Sequence, residues 1–252
     1  MIFLVALRKE LLEQWRSHRL LVVVAVLLAF GLLSPLAAKF TPELMKSLPN
    51  GEEIAKLIPP PTTADAIAQY IKNSSQFGII LALLMTMGAV AQEKDKGTAA
   101  FVLVKPMPRS LFLLAKFVAL GMTFMVGIAI AGVACYYYTL ILFGALDVPA
   151  WIALNGLLLL FVLVYVALTL LCSTVSHSQV VAGGLAFGLV ILLAIIGVIP
   201  QAAEFLPGQL LIWGAGLVTG GAKAAWPALG VSVGIIVVAL VGAWAIFERQ
   251  EL

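Results

Sequence analysis

Residues 92–116 read QEKDKGTAAFVLVKPMPRSLFLLAK, a polar interruption between two long apolar runs that holds five of the chain's 15 Lys and Arg. The alternating charges Glu93-Lys94-Asp95-Lys96 cannot lie in hydrocarbon, so the apolar run before them must leave the membrane here. Gly97 frees the backbone to turn, and Thr98 can cap a short helix over the AAFVLV that follows. Lys105-Pro106 with Pro108 ends that helix, because the residue before a proline is steered away from helical angles; Ser110 can cap the next long helix. The reading is a short, partly apolar helix at a membrane surface, flanked by Glu93, Lys94, Lys96, Lys105 and Arg109. Such an element suits docking of a partner.

Composition fixes the surroundings of this stretch. Apolar residues make up 63% of the 252 and charged ones 11%, whereas about a quarter of a soluble domain is charged. A polytopic membrane protein follows. About 20 residues at 1.5 Å each cross a hydrocarbon core of about 30 Å. A membrane β-barrel needs strands of about ten residues with alternating polarity, and the runs here are continuously apolar. The expected fold is therefore an all-α membrane protein with six transmembrane helices over 20–38, 76–92, 111–140, 151–172, 180–199 and 227–247. Residues 1–252 form one transmembrane domain.

The other segments follow from their side chains. In 1–19, Leu4, Leu7, Leu11, Leu12 and Trp15 share one helical arc and Lys9, Glu10, Glu13 and Arg16 the other, the pattern of an amphipathic helix lying in the interface. Residues 39–75, with Pro42, Pro49 and Pro59-Pro60-Pro61, form an external loop whose TADAIAQYIKNSSQ portion suits a short helix. The long third run implies tilt, a kink near Gly127 or Gly132, or extension beyond the bilayer. Between the fifth and sixth spans, 201–226 carries Pro207 and several glycines, a broken external segment able to dip into the membrane and return. Counting Lys and Arg gives ten on the side of the termini and the 93–110 loop and five on the other, with six acids on each. Net charges of +4 and −1 place both termini and that loop in the cytoplasm, in a multi-pass protein of the cell (inner) membrane. The charge is thus used in orientation, and no nucleic-acid partner is needed.

Chemistry is sparse. No Asp, Glu, Lys, Arg or His occupies the middle third of any span, which argues against an ion-coupled carrier. Gly216 to Lys223 lacks the Gly-Lys-Ser/Thr ending of a phosphate-binding loop. His18 and His177 have no carboxylate placed to make a catalytic constellation, and Cys135 and Cys172 lack metal-type spacing, so no catalytic residue, metal site or cofactor is assigned to this chain. Gly184-xxx-Gly188 and Gly230-xxx-Gly234 offer flat faces for close helix approach, within the chain or between copies. Asn155, Tyr136, Tyr137 and Thr169 are candidates to line a pathway or to pair with a neighbouring helix.

The run Glu93-Lys-Asp-Lys-Gly97-Thr98, then Pro106-x-Pro108-Arg109, then Lys116, resembles the loop between the second and third spans of permease subunits of ABC-2 type transporters. The resemblance extends to the N-terminal helix with its Arg8-Lys9-Glu10, to the six spans and to the broken external segment. It implies an exporter subunit with no ATPase site of its own, paired with a second permease copy or a homologous permease. It further implies a cytosolic ABC ATPase dimer that binds ATP and magnesium, with coupling through Glu93, Lys94, Lys96, Gly97, Thr98, Lys105, Pro106 and Arg109. The competing reading, from another class, is a stand-alone membrane enzyme or assembly factor acting through the external loop.

Overall fold

The structure is a computed structural model that describes residues 2–46, 60–95, 97 and 108–250. All regular secondary structure among them is helical: α1 (Ile2–Arg16), α2 (Arg19–Lys46), α3 (Thr63–Thr86), α4 (Ala91–Asp95), α5 (Arg109–Leu142), α6 (Val148–Val175), α7 (Gln179–Ile196), α8 (Pro200–Ala203), α9 (Gly208–Thr219) and α10 (Trp226–Glu248). Among the described residues six stretches are long and apolar enough to cross a membrane: α2, α3 with α4, α5, α6, α7 and α10. The chain is an all-α, multi-pass membrane protein.

The helices outrun the spans read from hydropathy. Helix α2 continues through Pro35 and Pro42 to Lys46. The Ser34 hydroxyl donates to the Phe30 carbonyl at 2.6 Å and Thr41 to Ala37 at 2.5 Å, so the turns around both prolines gain side-chain bonds to the backbone. Helix α3 begins at Thr63, where the Asp65 carboxylate accepts from the Thr62 amide and hydroxyl, each at 2.7 Å. The TADAIAQYIKNSSQ stretch is thus the first half of the helix that holds the second span. Residues 47–59, the middle of the proposed external loop, lie outside the described residues.

Helix α6 is the hub. Of its most apolar window 67% is buried, against 11% for α7 and 17% for α10, so the core collects around α6 and the outer helices keep most of their surface for lipid. Asp147 caps its start by accepting from the Ala150 amide at 3.1 Å. Its own Leu158, Val162 and Leu170 share one core with Tyr70 of α3 and Phe124 of α5, all fully buried. Helix α5 runs unbroken from Arg109 to Leu142, and its Gly127 and Gly132 serve contact. A Cβ on Gly127 would meet Leu27 at 2.9 Å, and one on Gly132 would meet Asn155 at 2.7 Å. The tightest crossing is at Gly31 of α2, where a Cβ would lie 2.6 Å from the Ala131 carbonyl oxygen of α5.

The segment before the last span consists of α8 and the twelve-residue α9, too short to cross about 30 Å of hydrocarbon. It lies against α6, with Gly214 close to Leu154 and Leu210 fully buried. Gly220, at φ 83°, takes the left-handed turn that ends α9. Gly184, Gly188, Gly230 and Gly234 face open space, so packing among the described residues does not use them.

Candidate functional site

The second span breaks into a turn at residues 87–90 before α4 resumes. One hydroxyl secures that break. Ser173 Oγ, on α6, accepts from the amides of Val90 and Ala91 at 3.0 Å and donates to the Met87 carbonyl at 2.9 Å. Orphaned backbone groups at an interrupted helix are thereby satisfied. On α4 the consecutive residues Glu93 and Lys94 face different neighbours.

Glu93 faces α5 and α1. Lys116 Nζ donates to Glu93 Oε1 at 2.8 Å and to both carboxylate oxygens of Glu10 at 3.1 Å, and its side chain is only 3% exposed. Lys9 reaches Glu10 at 3.2 Å, Glu93 at 3.5 Å and Glu13 at 3.9 Å from a half-exposed position. Burial pushes the Lys9 amine down, but Glu10, Glu93 and Glu13 together outweigh it and hold the group above its ordinary range. The Lys116 ammonium also sits 4.8 Å from the centre of the Phe112 ring. Beside it, Thr123 of α5 hydrogen-bonds the buried Gln14 of α1. A polar cavity of about 30 Å³, wide enough for water, lies between Glu10, Gln14, Arg19, Gln92 and Lys116.

Helix α1 therefore docks by its polar residues. Glu10 and Gln14 are buried while Leu4, Val5, Leu12 and Trp15 are exposed, the reverse of a helix on a soluble protein. The carboxylates of Glu10, Glu13 and Glu93 converge within 4.8 Å, the spacing of a cation site. The Lys9 and Lys116 ammoniums already neutralise two of the three charges, so a divalent ion would have to displace them.

Lys94 points the other way. It donates to the Thr174 carbonyl at 2.5 Å and to Gln250 Oε1 at 3.1 Å. From the far side of the central loop, Arg109 donates to the carbonyls of Phe247, Glu248 and Gln250, the last two at 3.1 and 2.8 Å, and lies over the Phe247 ring at 5.5 Å. Gly97 adopts φ 65° in the turn after α4. Lys96, Thr98, Lys105 and Pro106, with the short helix expected over AAFVLV, lie outside the described residues.

Of the sequence-predicted residues, the structure thus brings Glu93, Lys94 and Arg109 into contacts within the chain. Lys9, Glu10, Lys116 and Gln250 complete these contacts and were not singled out as site residues. A lysine at the foot of an apolar helix and the acid of Arg8-Lys9-Glu10 were the available signals. Three of the pathway candidates are engaged internally: Asn155 accepts from the Tyr70 hydroxyl at 2.6 Å, Thr169 bonds the Tyr165 carbonyl at 2.7 Å, and Tyr136 that of Leu146 at 3.3 Å. Tyr137 is exposed.

Residues 4–252 match the family described as ABC-2 family transporter protein. The chain is similar to a Bacillus subtilis protein described as an uncharacterized transmembrane protein, YxlG, at 23% identity over 99% of this chain and 98% of the relative. With six apolar helices and a match over nearly its whole length, the chain belongs to the ABC-2 transporter family, as a membrane-embedded transport subunit.

Proposed function

We propose that this chain is the permease of an ABC-2 type exporter, forming the transmembrane pathway and driven by a separate cytosolic ABC ATPase. In this reading both termini and the 93–110 loop face the cytoplasm, the ATPase dimer binds ATP and magnesium, and a second permease, identical or homologous, completes the pathway. The observation that supports it best is the buried Glu10–Lys116–Glu93 cluster. It ties α1, the end of the second span and the start of the third into one unit at the foot of the central loop. A push delivered to residues 96–107 by a partner would then move three helices together, because breaking a buried ion pair costs about 3–5 kcal/mol.

Within this scheme Lys96, Thr98, Lys105 and Pro106 form the contact with the ATPase, and Glu93, Lys94, Gly97 and Arg109 carry its movement inward. The exposed Leu4, Leu12 and Trp15 set α1 in the membrane interface against lipid. The test is assembly and ATP-dependent transport with the cytosolic ATPase, in wild type and after charge reversal at Glu93 and Arg109 together. Loss of both activities is expected. Intact assembly and transport in that variant overturns the coupling role, and activity of the lone chain in liposomes without ATP overturns the exporter reading.

A further inference from the structure

Helix C-termini collect partial negative charge on their last carbonyls and are stabilised by nearby cations. Neither α6 nor α10 carries a basic residue in its own last turn. Both receive one from the stems of the central loop: Lys94 binds the Thr174 carbonyl of α6, and Arg109 binds the Phe247 and Glu248 carbonyls of α10. The two cations converge on a single residue. Gln250 accepts from Lys94 through Oε1 and from Arg109 through its carbonyl, and its own Nε2 donates to Thr174 at 3.2 Å. Phe247 anchors the spot, fully buried and stacked on Phe112 of α5 with ring centres 5.6 Å apart.

This concentration of contacts contrasts with the rest of α10, most of whose surface is open. The last helix is therefore held at its C-terminal end by the two stems that flank residues 96–107. We propose that Gln250 is a positioning residue: it joins the end of α4, the start of α5 and the end of α6 to the sixth span, so that displacement of the central loop reaches α10 as well as the second and third spans. The transmission part of this proposal rests on the exporter reading above; the tie itself does not.

Hydrogen exchange on the full chain in lipid nanodiscs tests the tie. Gln250→Ala lies beyond the end of the last helix, so folding is retained. Exchange in residues 91–95 is expected to rise by about tenfold, the factor set by losing one hydrogen bond to a charged group, and 244–249 less, because the Arg109 bonds to the backbone carbonyls of 247, 248 and 250 survive. Arg109→Gln should loosen 244–249 to a similar degree and Arg109→Lys much less. The exposed Glu248→Gln serves as a control without effect. Unchanged exchange at 91–95 in Gln250→Ala overturns the tie.

A second arm uses the complex with the cytosolic ATPase and a spin label on Trp226→Cys at the far end of α10. ATP with vanadate should shift the label in wild type, and Gln250→Ala should reduce the shift, leaving the part carried by Arg109, while ATP turnover continues. Equal shifts in both proteins overturn transmission through Gln250. No shift in wild type, with the exchange result intact, overturns the coupling reading and leaves the tie standing.

Discussion

Replacing Lys116 by methionine keeps the length and apolar stem of the side chain and removes the charge. In the wild type that ammonium is 3% exposed and donates three hydrogen bonds, two to Glu10 and one to Glu93. Removing one member of a buried ion pair costs about 3–5 kcal/mol, chiefly because the remaining charge stays buried and unpaired. Here two carboxylates lose their partner. Lys9, already 3.2 Å from Glu10 and 3.5 Å from Glu93, takes up part of the burden, but it is half exposed and such pairs yield at most about 1 kcal/mol.

The expected destabilisation of Lys116→Met is accordingly about 3 kcal/mol, a large share of the roughly 5–15 kcal/mol that holds a folded protein together. Titration with SDS in mixed micelles, followed by tryptophan fluorescence, reads it. The informative partner is the triple variant Lys116→Met, Glu10→Gln, Glu93→Gln. With no charge left buried, it should recover to within about 1 kcal/mol of wild type. A single variant that loses less than about 1 kcal/mol, or a triple variant no more stable than the single, refutes the assignment of Lys116 as the centre of a buried charge cluster.

Other consequences follow from the same geometry. Gly31→Val brings a Cβ to 2.6 Å from the Ala131 carbonyl and must separate α2 from α5, at a cost of about 1–3 kcal/mol in the same titration; Gly184→Ala, which faces open space, should change stability by less than about 0.5 kcal/mol. Ser173→Ala strips the bonds from Met87, Val90 and Ala91 and should cost about 1–3 kcal/mol, with faster hydrogen exchange confined to residues 87–91. Because the Lys9 pKa is raised above 10.5, its contribution is fully present below that value and is lost only as the pH climbs through the raised one. Stability measured from neutral pH to about 9 should therefore show no loss assignable to Lys9.

The all-α fold and six spans were legible because continuous apolar runs report the solvent a segment needs. The ends of the helices were not. Hydropathy says where hydrocarbon stops, whereas α2 and α3 persist past that point on backbone hydrogen bonds, prolines included, to Lys46 and from Thr63. At the site, Glu93, Lys94 and Arg109 announced themselves as charges beside apolar runs, but their partners did not. Glu10 lies 106 positions from Lys116, and nothing local pairs them. That Glu93 and Lys94 serve opposite neighbours does follow from helical geometry, since consecutive residues diverge by about 100° around the axis. Nothing local in the sequence marks Gln250, whose contacts form only where the ends of α4, α5, α6 and α10 meet.

In the proposed exporter a cytosolic ATPase docks on the 93–110 loop. Its most direct test places a photo-crosslinking side chain at Lys105, and in a separate variant at Lys72 on the side carrying fewer basic residues, in membranes that also contain the ATPase. A crosslink to the ATPase is expected from Lys105 and none from Lys72. A crosslink from Lys72 with none from Lys105 contradicts it.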